Sequence, residues 1–295
     1  MKLKIPVALA LALSTPAMAN DPAPVSQAEW VKHKKFVQLP NGIRMGYLDL
    51  GDPNGEPLLL LHGYTDSSRT WSLLVPYLTR YRLLIPDQRG HGATSAPECC
   101  YSQSQFAYDA KLFLDALKIE RTGVAGHSMG SMVAMAMAAE YPDRVTKIAL
   151  LGSTALAPVK RGEWLFDNAI ALKAPLDPNS RFLKEWHPAN QPTPIDKAFA
   201  DAAMAEIMTI PVPVWHSVMR ELEGVPVARR ASDVKAPVLV LSGGADALFP
   251  PEHHAALLKA FPAAQSHVYP TLGHNFPWEV PAEVSRRLSA FFAAQ

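Results

Sequence analysis

A serine hydroxyl becomes a useful nucleophile at neutral pH only with a base in hydrogen-bond reach and donors for the oxyanion it creates. Ser128 stands in Gly126-His127-Ser128-Met129-Gly130, between the apolar run "TGVAG" and the Met/Ala-rich stretch "SMVAMAMAAEY". In G-x-S-x-G spacing the serine sits on a sharp strand-to-helix turn, where small neighbours let backbones approach and leave the hydroxyl exposed. The helix start then offers unpaired N–H groups and a positive dipole to developing negative charge. A chemically idle βα turn uses the same five residues, so the partners decide. Asp246 follows the strand-like "LVLSGG", and His274 lies in a loop, "YPTLGHNFPWEVP", after the next strand-like run. An imidazole has the pKa to take and return the proton, and a buried carboxylate fixes its tautomer.

The other candidates fit structural roles. Asp87 in "PDQRGHG" reads as a loop carboxylate paired with Arg89 rather than as the acid. His62, His91 and His127 precede or abut the serine and read as structural hydrogen-bonders. His187 and His216 fall in a later helical segment, and His253 and His254 open a helix. No H-E-x-x-H spacing supports a metal, and neither metal nor cofactor is expected. In "LLLLHGYTDSSRTW" the His-Gly pair follows a buried strand and turns the next backbone N–H into the site. The amides of Tyr64 and Met129 are therefore the expected oxyanion donors. Asp66 reads as a cap for the following helix, with Ser67 and Ser68 near by.

These residues need a scaffold that brings distant positions together. "KKFVQL" and "IRMGYLDL" flank Asn41-Gly42, which predicts an opening hairpin. "EPLLLLHG", "YRLLIPDQRG", "RTGVAG" and "VTKIALLGS" then alternate with helix-like stretches: "SSRTWSLLVPYLTRY", "SQFAYDAKLFLDALKI" and the Met/Ala-rich run. Such alternation predicts a parallel sheet, at whose carboxyl edge distant residues meet. From 157 to 231 the rhythm stops, and four short helical stretches follow one another between prolines and glycines. Strand rhythm resumes at "APVLVLSGG", with a helix around "EHHAALLKAF", a strand at "SHVYPTL" and a closing helix from about Ala282.

Composition bounds the partners. The 295 residues are 48% hydrophobic and 19% charged, enough for one large core with an insertion. Lys plus Arg number 28 against 27 Asp plus Glu, so the net charge of +1 makes no case for nucleic acid. At the front, Lys2 and Lys4 precede an apolar stretch from Ile5 and then Ala17-Met18-Ala19, the order of a secretion signal over 1–19. The stretch is broken by Pro6, Ser14 and Pro16, too short for a stable membrane anchor, so a periplasmic or secreted protein starting at Asn20 is expected. The two cysteines, Cys99 and Cys100, are adjacent, which excludes a disulfide framework. Neighbouring α-carbons lie closer than an ordinary disulfide requires, so two loop thiols are expected, with a vicinal bond as the alternative.

On "HGYTDSS", "PDQRGHG", "GHSMG", Asp246 in "GGADALFP" and "GHNFP", the chain resembles the α/β-hydrolases of the esterase, lactonase and dehalogenase-like superfamily. The resemblance spans essentially the whole mature chain. It implies a mostly parallel eight-stranded α/β sheet with helices on both faces. It also implies a helical lid after the sixth strand, matching residues 157–231 between core segments 20–156 and 232–295. Lid residues Trp164, Phe166, Trp186, Trp215 and Met219, with Phe249 of the core, are the candidates for an apolar pocket. The implied activity is hydrolysis of a small carboxylic ester or lactone through an acyl-enzyme. Dehalogenases and epoxide hydrolases of this type carry an aspartate nucleophile, against which Ser128 speaks. Hydrolases of C–C bonds usually show a longer Gly-rich loop after His-Gly, and proline iminopeptidases a tryptophan where Met129 stands. Acyl transfer to an alcohol or peroxide is the alternative on the same residues, and a non-catalytic small-molecule receptor is the alternative on the same fold.

Overall fold

Each buried strand is apolar on consecutive residues because both faces of the sheet are covered. The computed structural model describes residues 22–223 and 228–294; the expected secretion signal, 1–19, lies outside them. Eight strands form one sheet: β1 (Lys35–Gln38), β2 (Arg44–Gly51), β3 (Pro57–Leu61), β4 (Arg82–Pro86), β5 (Thr122–His127), β6 (Val145–Leu151), β7 (Val238–Gly243) and β8 (Gln265–Tyr269). Their order is β1-β2-β4-β3-β5-β6-β7-β8, antiparallel at β1–β2 and β2–β4 and parallel throughout the rest. The expected hairpin is the antiparallel edge.

Successive residues serve two different cores. Leu59, Leu61, Val124, Ile148, Leu150 and Val240 pack on one face, with α2 (Gln103–Ala116) and α3 (Met129–Glu140). Leu58, Leu60, Ala125, Ala149, Leu151, Leu239 and Leu241 pack on the other, against the closing helix α11 (Pro281–Ala293). Ten consecutive residues of α3, Met129 to Ala138, are buried; all are apolar or glycine except Ser131, whose hydroxyl donates to the Ser128 carbonyl. The helix expected over "SSRTWSLLVPYLTRY" is absent: two 3₁₀ turns, Ser68–Trp71 and Val75–Tyr77, stand there. Ser67 caps the first, and Pro76, lacking an amide hydrogen, ends any longer ladder.

Between β6 and β7 the chain runs through α4 (Trp164–Ala171), α5 (Arg181–Glu185), α6 (Lys197–Ile207), α7 (Val212–Leu222) and α8 (Ala228–Ala231). Among the described residues of this segment, a single β-bridge joins Val159 to Glu223. This helical layer is tied to the sheet through polar clasps. Arg69 donates twice to Glu206 of α6, at 2.6 and 3.0 Å, and Ser67 donates to the same carboxylate. Arg69 also reaches back to Gln27 in α1 (Gln27–Trp30), so the first described helix and α6 share one guanidinium. The last core elements are α9 (Pro251–Ala260) and α10 (Phe276–Glu279).

Two further expectations need correction. Asp87 is buried and paired with Lys34 at 2.7 Å, not with Arg89. Burial opposes its ionisation, but the Lys34 ammonium and the amides of Ser68 and Ala93 hold its pKa below the ordinary carboxylate range. Arg89 instead grips Asp109. Cys99 and Cys100 are joined by a disulfide rather than free. The loop turns there with Cys100 at φ +75°, its carbonyl held by the Arg89 guanidinium at 2.7 Å, which brings the two side chains together.

Candidate active site

Ser128 sits between β5 and α3 at φ +52°, ψ −122°, a conformation that L residues seldom adopt and that surrounding packing must enforce. The flanking glycines supply the room. A Cβ on Gly126 would lie 2.1 Å from the Gly130 carbonyl oxygen, and one on Gly130 would lie 2.2 Å from that of Leu61. Neither position has space for another side chain, which accounts for both glycines of the motif. The backbone amide of Ser128 donates to Leu151, anchoring the turn to β6.

Asp246 follows β7 and His274 follows β8, so both stand beyond the same sheet edge as Ser128. Ser128 Oγ donates to His274 Nε2 at 2.8 Å, and His274 Nδ1 donates to Asp246 Oδ2 at 2.7 Å. Burial alone raises a carboxyl pKa, yet that of Asp246 is lowered by His274 and by the amides of Leu248 and Phe249, both at 2.8 Å from Oδ1. The acid is thus anchored by its backbone and charged at neutral pH. The His274 loop is pinned from behind: Gly273 N–H donates to Glu279 Oε1, and Thr193 N–H to Oε2 of the same residue. Glu279 therefore joins this loop to the segment before α6.

Tyr64, three residues beyond β3, and Met129, the first residue of α3, both line the cavity with Ser128. Among the described residues neither backbone N–H has a protein acceptor. The loop of Tyr64 is held by the helical layer. The Tyr64 hydroxyl donates to the Trp215 carbonyl at 3.0 Å, and Trp186 Nε1 donates to the Thr65 hydroxyl at 2.9 Å.

The cavity holds about 740 Å³, in the range of small-molecule sites. Trp164, Trp186 and Phe249 line it, as do Met132, Ile207 and Leu222. Trp215 does not: fully buried, it sets its ring against Tyr64 and Phe182, 5.5 and 6.2 Å between centroids, and backs the wall instead of facing the space. Phe166 and Met219 are likewise buried behind it. Most of the apolar stripe of α7, Val214, Trp215, Val218 and Met219, is buried core, and only its last residue, Leu222, reaches the cavity. At the mouth Trp164 is 43% exposed and donates to Glu185 at 3.1 Å.

Two polar residues lining the cavity had other expected roles. Asp66 does not cap the following turn; Ser67 does, and the Asp66 carboxyl faces the cavity. Burial pushes its pKa up to about 7, against the pull of Thr70 and His274. His253, first read only as part of a helix start, shares a hydrogen bond with Thr154 at 2.7 Å and stacks on Phe249, whose edge meets His274. His62, His91 and His127 make main-chain hydrogen bonds as expected, and burial lowers the pKa of each to about 3, 4 and 3.

Residues 56–281 match the family model described as alpha/beta hydrolase fold. The chain is 27% identical over 267 residues to Lipase 1 of Psychrobacter immobilis, covering 87% of this chain and 83% of that one. It is 28% identical over 280 residues to a 2-hydroxy-6-oxo-6-phenylhexa-2,4-dienoate hydrolase of Burkholderia cepacia, covering 88% and 96%. The enol-lactonase from Burkholderia xenovorans superposes with a TM-score of 0.74 at 21% identity, over 88% of this chain and all of that one. The nucleophile-type turn, the mixed sheet with its parallel body and the family match together assign the chain to the α/β-hydrolase fold family.

Proposed function

We propose that the protein is an exported serine hydrolase that cleaves a carboxylic ester or lactone through an acyl-enzyme on Ser128. The observation that carries the reading is the unbroken chain Ser128–His274–Asp246, at 2.8 and 2.7 Å, opening into an apolar cavity. His274 takes the Ser128 proton as Oγ attacks the carbonyl carbon, and Asp246 steadies the imidazolium that forms. The amides of Tyr64 and Met129 receive the oxyanion; their lack of protein acceptors supports that role. His274 then protonates the leaving alcohol and activates the water that releases the acid. The helices between 157 and 231 act as the lid, with Trp164 and Trp186 forming the acyl-side wall together with Phe249 of the core. A lipase and an enol-lactonase among the similar proteins agree with this chemistry. Export rests on the order of charged, apolar and small residues in 1–19.

The test is turnover of p-nitrophenyl esters of graded acyl length and of simple lactones, by protein starting at Asn20, with Ser128→Ala as the control. The reading expects turnover that the mutation abolishes and covalent labelling of Ser128 by a fluorophosphonate. Folded protein that neither turns over nor labels, while still binding small apolar molecules, moves the assignment to a receptor. Products other than the acid, formed when alcohols or peroxide are added, move it toward acyl transfer.

A further inference from the structure

The Ser128–His274–Asp246 chain leaves two polar groups at the cavity wall unused, His127 fully buried and Asp66 largely so. His127 packs its ring against His274 and Trp278, centroids 5.2 and 5.9 Å away. Its Nε2 lies 3.1 Å from the main-chain oxygen of His274. A carbonyl only accepts, so Nε2 carries the hydrogen, and in a neutral ring Nδ1 holds a lone pair. That Nδ1 is buried and has no hydrogen-bond partner among the described residues. Asp66 Oδ2 faces it at 3.9 Å. Only a glycine at 63 lets them face each other, since a Cβ there would lie 2.7 Å from that oxygen and 3.5 Å from Nδ1.

We propose that Asp66 and His127 share one proton and, as a pair, position the main chain of the catalytic histidine, His274. The proposal rests on the reading of His274 as the base. Asp66 O–H donates to His127 Nδ1, and His127 Nε2–H donates to the His274 carbonyl. The 3.9 Å separation exceeds hydrogen-bond reach by about 1 Å, a gap that turning the carboxyl group closes. Both members are neutral when paired, which burial favours: it holds the Asp66 pKa up at about 7 and the His127 pKa down at about 3.

The groups around Asp66 set when the pair breaks. His127 faces it from the end of β5, His274 from the loop before α10, and Glu206 from α6, with Arg69 clasping Glu206. Thr70 and the Gly63 N–H come from its own segment. The Glu206 carboxylate opposes a second negative charge, whereas a charged His274 favours one. A small cavity of about 10 Å³ bounded by Asp66, Thr70 and Glu206 has room for one water to take the proton. As pH rises through about 7, Asp66 gives its proton to solvent and its carboxylate faces a lone pair. His127 responds by carrying its hydrogen on Nδ1 in place of Nε2, which releases the His274 carbonyl.

The test follows the ring nitrogens of ¹⁵N-histidine-labelled protein by NMR from pH 5 to 9, with His127 assigned by its loss in His127→Gln. The expected result is the Nε2–H tautomer at pH 5.5 and the Nδ1–H tautomer at pH 8.5, with no imidazolium stage. In Asp66→Asn, whose amide donates to Nδ1 at every pH, the Nε2–H tautomer persists throughout. Wild-type kcat/KM on a p-nitrophenyl ester falls at least fivefold across the alkaline half of this range, and the fall is missing from the Asp66→Asn profile. A His127 that titrates as imidazolium near pH 6, a tautomer fixed from pH 5 to 9, or the same switch in Asp66→Asn overturns the pair. Superimposable kcat/KM profiles overturn its positioning role. If the tautomer switch is seen and no ester is turned over, the hydrolase reading fails while the proton-sharing pair stands.

Discussion

Replacing Asp246 by asparagine tests the site through one proton. Asp246 Oδ1 accepts two backbone hydrogens, from Leu248 and Phe249, both at 2.8 Å. In the amide, that position must remain the oxygen, because an NH₂ there would meet two N–H donors. The NH₂ is therefore turned to His274 Nδ1, now 2.7 Å from a donor instead of an acceptor. Nδ1 must accept, so the ring proton moves to Nε2, which then points N–H at Ser128 Oγ and cannot take its proton. Loss of the correct tautomer in such a constellation costs about 10⁴ in kcat, equivalent to about 5.4 kcal/mol of barrier. Because every hydrogen bond is replaced by another, the fold is expected to survive, with a melting temperature close to wild type. The assay is kcat on a p-nitrophenyl ester between pH 6 and 9, beside thermal melts of both proteins. A folded Asp246→Asn within tenfold of wild type refutes the reasoning, since it places the proton elsewhere.

Gly130→Ala puts a Cβ 2.2 Å from the Leu61 oxygen. Backbone must shift, so a loss of about 3 kcal/mol and weak fluorophosphonate labelling are expected from urea melts and gel assays. Lys34→Met strips the only ion-pair partner that Asp87, whose side chain is fully buried, has among the described residues. The uncompensated charge costs about 3–5 kcal/mol at pH 7. Because the folded pKa of Asp87 lies below 3.8 in the wild type, its contribution is present above that value and lost as pH falls through the folded pKa. The mutant's deficit should therefore shrink on acidification, and a pH-independent deficit in urea melts contradicts the assignment. Trp186→Ala removes a cavity wall and the hydrogen bond to Thr65. Its kcat/KM should fall about tenfold or more on long acyl chains and less on acetate; equal losses across the series place Trp186 outside the acyl pocket.

The sheet and the strand-to-helix turn at Ser128 were legible because local rules act in concert there. Gly126 and Gly130 mark sites where backbones touch, and the strand ends before Asp246 and His274 share one edge by topology alone. What the residues could not disclose depended on competition at short range. "TDSS" offers four capping side chains in succession, and Ser67 took the role, which left Asp66 at the cavity. Lys34 lies 53 positions from Asp87, beyond any local pattern, while Arg89 two residues away was the natural guess. Helical periodicity places Trp215 on an apolar face, but a face can adjoin a core or a void. Pro76 inside an amphipathic stretch was the signal against a helix after β3.

The hydrogen-bonded pair Ser128 and His274 is separated by 146 positions, and the intervening chain includes the whole helical layer. Contacts that close so long a loop form late, because their entropy must be offset by structure already made. A partly folded chain can therefore own every element of the chemistry and still be inert. Hydrolytic capacity switches on as a step at the end of folding, so the first measurable turnover doubles as a clock for completion of the native state.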